Sequence, residues 1–172
     1  MAALRNLALL LAAALAAGPA SGQMTASSPA EIAAAGLDCW TAVSAAPVNE
    51  AMLRQKGWEK ARMTSAQGQP IVSDIGMFGK KGNGAVLMIT PKVDPRGCMV
   101  MSRAATAQDV SASIPLLFAN LKAVDPAVEV KKVSAQEVGF FALPKAALFK
   151  LTGDPAKPGV LIQVSYTAAE KK

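Results

Sequence analysis

Hydrophobic residues change their spacing several times along the chain. Ile32, Gly36, Cys39, Trp40 and Val43 recur every three or four positions, which predicts a helix with one buried face. Ser28-Pro29-Ala30-Glu31 supplies its start: serine can cap, proline is tolerated at the first helical position, and Glu31 can reach back to complete a capping box. Pro47 is expected to end this element, and Gln23 to Ser27 reads as a flexible lead-in of small and polar residues. Asn49 caps a second, shorter helix that runs to Lys56. Gly57 suits the left-handed residue closing a Schellman motif, and Trp58 would then pack back onto Leu53. That account of Trp58 is preferred to a sugar-stacking role.

Beyond this point the period becomes two. Residues 70–79 alternate, with Ile71, Ser73, Ile75 and Met77 on one side. Lys80-Lys81-Gly82-Asn83-Gly84 reads as a turn and Ala85 to Thr90 as the returning strand. Pro91 to Gly97 makes a second turn, and Cys98 to Arg103 a third strand with Cys98 and Val100 on one face, Met99 and Met101 on the other.

A third helix carries an apolar stripe of Ile114, Leu117, Phe118, Leu121 and Val124, ended by Asp125-Pro126. Proline belongs in a first turn, so Pro115 places the start near Ser113. The remainder is strand-like at about Val128 to Val133, Val138 to Leu143, Ala146 to Leu151 and Val160 to Thr167, with Val160, Ile162, Val164 and Tyr166 sharing a face. Runs of hairpin-linked strands separated by a helix predict an α+β fold: one mostly antiparallel sheet, with two N-terminal helices and one central helix packed on one face. The helix-then-strands order occurs twice, but no residue-level repeat accompanies it, and residues 23–172 are read as a single α+β domain.

The N-terminus adds a compartment. Arg5, the apolar run Leu7 to Ala17, Gly18-Pro19 and the small residues Ala20-Ser21-Gly22 have the three parts of a secretory signal, so residues 1–22 are expected to be cleaved before Gln23. The run is too short for a membrane span, and no later segment offers a transmembrane anchor. The location expected is periplasmic or secreted. There, two cysteines are read first as a bridge, and Cys39 and Cys98 are assigned to one disulfide; they lack the CxxC spacing of a redox couple.

Composition then closes several chemistries. The 172 residues include no histidine, which excludes Ser-His-Asp and Cys-His mechanisms and histidine-ligated zinc. Carboxylates are dispersed, without the pairing a glycosidase needs, and no Ser-x-x-Lys occurs. Gly76 to Gly84 places glycines beside lysines, but the spacing fails the phosphate-binding GxxxxGK[ST] pattern and a strand follows where a helix is needed. The 18 basic against 12 acidic residues give a net charge of +6. Lys80 and Lys81 fall on one turn and Lys92 and Arg96 on the next, at opposite ends of strands roughly 20 Å long. Without interleaved aromatics this is a solvated basic surface, with weak attraction for anionic polymers but no specific nucleic-acid site. Met77, Met88, Met99 and Met101 permit a Cu(I) hypothesis through soft thioethers, against which they form no short cluster in sequence.

No catalytic, cofactor or metal site is therefore assigned. The expectation is an exported binding, inhibitor or envelope-accessory module acting on a protein or envelope-polymer surface. The alternatives are a small hydrolase with dispersed carboxylates and a methionine-based copper carrier. Whether Met99, Met101 and Phe141 form a contact patch depends on what covers their side of the sheet.

Overall fold

The computed structural model describes residues 24–43, 48–62, 65, 67, 69, 75–90 and 97–166. The expected signal segment, Pro47, Ile71, Ser73, Lys92, Arg96 and Thr167 lie outside them.

The chain forms a mostly antiparallel sheet with helices packed on one face, an α+β fold. Strand β1 (Ala26–Ser27) precedes helices α1 (Pro29–Ala42) and α2 (Glu50–Gln55). Strands β2 (Trp58–Lys60), β3 (Gly76–Lys80), β4 (Asn83–Thr90) and β5 (Gly97–Ala104) follow. Helix α3 (Ala107–Val124) then leads into β6 (Glu129–Lys132), β7 (Glu137–Ala142), β8 (Lys145–Thr152) and β9 (Gly159–Tyr166). The sheet order is β2-β3-β4-β5-β9-β8-β7-β6, with β1 added in parallel beside β5. Two four-stranded meanders, each preceded by helix, thus meet through their last strands. The twofold pattern in the order of elements becomes a symmetric order of strands.

Capping signals act as expected. Ser28 accepts from the Glu31 amide while the Glu31 carboxylate accepts from the Ser28 amide. Asn49 caps α2, and Gly57 takes φ +85° with its N–H donating to the Arg54 carbonyl. Between β3 and β4, Lys81-Gly82 form the turn, with Gly82 at φ +76°. Asn83 fastens this hairpin to α1 by donating to the Glu31 carbonyl.

Several expectations need correction. The lead-in is partly strand: Ala26 and Ser27 pair with Arg103 and Ala104, and the buried Ser27 hydroxyl lies 2.8 Å from that of Ser102. Helix α1 stops at Ala42, before Pro47, with Val43 as its cap. Trp58 does not merely back onto the preceding helix but opens β2, a strand absent from the sequence reading. Helix α3 begins at Ala107, so Pro115 sits in its interior. Two features accommodate it: Pro115 and Ser111, whose carbonyl loses its helical donor, are both exposed to water, and a Thr106–Asp109 capping box secures the turns before it. Val124, expected on the buried stripe, is 51% exposed; Leu117 and Leu121 carry the burial, with Ile114 and Phe118 packed partly against the core.

The core lies between the helices and one sheet face. Leu87 and Ile89 of β4, Cys98 and Val100 of β5, Ile162 and Val164 of β9 and Phe149 of β8 are buried there with Ile32, Cys39 and Trp40 of α1. Helices α1 and α3 pack against each other at Gly36, beside Ile162 of β9: an added Cβ would stand 2.7 Å from Leu117 Cδ1 and 3.1 Å from Ile162 Cδ1. A glycine is needed for that approach.

Candidate functional site

The disulfide assigned from the sequence is present. Cys39 of α1 and Cys98 of β5 are bonded, with Cα atoms 5.5 Å apart and both residues buried. Alternation in β5 is as expected: Cys98 and Val100 face α1, and Met99 and Met101 face away. A bridge in the core implies folding outside the reducing cytoplasm. Among the described residues, no helix is long and apolar enough to cross a membrane.

A polar cluster that sequence reasoning missed joins α1 to strands β2 and β3 of the first meander. Asp38 is 6% exposed and accepts from the Trp58 indole N–H at 2.9 Å. Lys80, the cross-strand partner of Trp58, brings Nζ to 3.6 Å from the same carboxylate and 5.7 Å from the indole centroid. Trp58 is 1% exposed, which removes the sugar-stacking role. The warning in the sequence was a lone carboxylate within the apolar stretch from Ile32 to Val43, because a buried charge requires partners. With Asp38 oriented by a neutral donor on one side and a cation on the other, the cluster is an anchor between layers.

The other described carboxylates are also engaged or dispersed. Glu31 and Asp109 complete capping boxes; Asp125 and Asp154 accept from backbone N–H groups in their own turns. Glu50 pairs with Arg54 and Lys60, Glu129 with Lys131, and Glu137 with Lys150. Among the described residues, no group of three or more His, Cys, Asp or Glu is placed to hold a metal.

The second face of the sheet is the distinctive surface. Register places Met77 of β3 opposite Met88 of β4, and Met88 opposite Met99 of β5. Gln163 of β9 and Leu148 of β8 continue that row. In the neighbouring row Val86, Met101 and Leu161 are partners. These side chains are half-buried, apart from Leu148, which is exposed, and among the described residues no helix lies over them. Phe141 belongs to the same face: its ring occupies the space over Gly139, with Lys131 Nζ 5.8 Å from its centroid. Met99, Met101 and Phe141 are therefore neither fully exposed nor hidden under a second layer of described residues.

The expected obstacle to a methionine cluster, dispersion in sequence, is overcome by the fold. Met77, Met88 and Met99 recur at equal intervals, and each hairpin returns the chain to the same level of the sheet. That spacing was the available signal. It could not be used because the connection from Thr90 to Gly97 leaves the third strand's register open. Beside the row, Thr90, Gly97, Met99 and Gln163 help line a shallow depression of about 30 Å³, room for about two waters. It is too small for an organic substrate.

No protein-family model matches the chain, and no curated protein or solved structure matches it.

Proposed function

We propose that this is an exported, non-catalytic binding module, periplasmic or secreted, that acts on a protein or envelope-polymer surface through the open face of its sheet. The observation carrying this reading is the asymmetry between the two faces. One is sealed by α1, α3 and the Cys39–Cys98 bridge, whereas the other presents Met77, Val86, Met88, Met99, Met101, Leu161 and Leu148 only half-covered or exposed. Contiguous apolar surface of this kind marks interaction sites, and methionine adapts its shape to differing partners. The signal-like segment at residues 1–22 and the buried bridge support export.

Capture from envelope extract, with substitutions on either face, tests the reading. Leu161→Lys places a charge on the open face; Leu116→Lys does the same at an exposed site on α3. A partner held by the wild-type protein and the Leu116 variant but lost with Leu161→Lys is the expected result. Equal capture by all three, or no capture together with turnover of a substrate, overturns it. N-terminal sequencing of material from the native host should begin at Gln23.

A further inference from the structure

We propose that Met77, Met88 and Met99, with Met101 beside them, form a binding site for Cu(I). Three thioethers stand in direct register on adjacent strands, and Met101 lies two residues further along β5 on the same face. Neighbouring strands are about 4.8 Å apart, and the zinc–thiolate bond, taken as a guide to metal–sulfur lengths, is roughly 2.3 Å. A cation above Met88 therefore requires the flanking sulfurs to lean about 2.5 Å toward β4, within the freedom of a side chain with three rotatable bonds. Half-burial leaves the site reachable while excluding much of the competing water.

The donor set selects the ion. Thioether sulfur is soft and neutral, which favours Cu(I) over Mg(II) and Cu(II), whose preferred ligands are oxygen or imidazole, and over Zn(II), whose sulfur ligands are charged thiolates. The chain contains no histidine to supply a competing imidazole. Its two cysteines, the stronger soft ligands, are bonded to each other and buried on the opposite face. Methionine is the soft ligand that remains. Val86, Thr90, Leu161 and Gln163, which adjoin the row, are uncharged; Arg103, two positions beyond Met101 on the same face, and Lys150, the partner of Leu161, are the charges further out. Methionine as plain core filler would be fully buried, and these four are half-buried, with no helix among the described residues lying over them. The proposal stands independently of the partner-binding reading, since a metal titration needs no partner.

Anaerobic titration of the purified protein against the coloured Cu(I)–bicinchoninate complex tests it. The expected result is transfer of one equivalent of Cu(I) to the protein, at least tenfold weaker in Met88→Leu and unchanged in Met52→Leu, a substitution on α2 outside the row. Failure to draw Cu(I) from the complex, or equal transfer by both variants, overturns the site. Methyl NMR with Ag(I) as a redox-inert substitute gives a second readout on the unmutated chain. Selective shifts of the Met77, Met88 and Met99 methyl signals are expected, and shifts no larger than that of Met52 overturn it.

Discussion

The indole N–H of Trp58 donates to Asp38 Oδ2 at 2.9 Å, joining β2, the first strand of the first meander, to the buried face of α1. Both residues are buried, so neither has water as a ready substitute partner. Asp38→Ala leaves the indole donor unsatisfied and removes the counterion of Lys80. Loss of such a buried acceptor costs about 2–3 kcal/mol. Lys80 is 32% exposed but Asp38 is buried, so Lys80→Met, which leaves the carboxylate its indole partner, should cost about 1–2 kcal/mol, less than Asp38→Ala. Urea denaturation distinguishes them. If Asp38→Ala costs no more than Lys80→Met, the indole–carboxylate bond is not the anchor described here.

The disulfide should make a larger contribution. It closes a loop between positions 59 apart, for which chain entropy gives about 4 kcal/mol. For a chain of this size that corresponds to a melting temperature lower by roughly 8–16 °C when both cysteines are replaced by alanine. Calorimetry of the Cys39→Ala/Cys98→Ala protein measures it. An unchanged midpoint would mean that packing of α1 on β5 alone restrains the chain.

The main architecture was legible because local and tertiary requirements coincide. Ile32, Cys39 and Trp40 repeat at helical spacing and are buried along one helix; Val160, Ile162 and Val164 alternate and are buried along one strand. The bridge followed from having two cysteines and a secretory start. What was not legible depends on partners remote in sequence. Ala26–Ser27 becomes strand because β5 and the side-chain-free Gly84 leave room beside them, and β2 is only three residues, too short to show a period. Asp38 and Trp58, twenty positions apart, gave no joint signal. The methionine row required a register that the intervening turn concealed.

The seam between the two meanders depends on Gly97. A Cβ there would collide with the Val164 carbonyl oxygen of β9, a backbone atom held in the sheet. Gly97→Ala must therefore push β5 from β9 or distort both, and overpacking of this kind costs about 1–3 kcal/mol. Gly79 of β3 provides a control, because a Cβ at that position meets nothing within 4 Å and its φ is not positive. Gly79→Ala should be neutral or gain a few tenths of a kcal/mol through reduced freedom of the unfolded chain. Equal effects of the two substitutions on the denaturation midpoint would remove the seam argument.

Pro115 offers the opposite sign. It stands in the interior of α3 on the exposed side, where its ring displaces one backbone hydrogen bond without adding to the core. Alanine restores the missing N–H and relieves the clash with the preceding turn, a difference of as much as about 3 kcal/mol in an isolated helix. Part of that gain is offset because proline also restricts the unfolded chain by about 0.4–1 kcal/mol. Pro115→Ala should therefore raise the melting temperature by a few degrees while leaving the buried contact of Leu117 with Gly36 in place. A lowered midpoint would show instead that α3 needs the proline bend to lay Leu117 and Leu121 onto the core together.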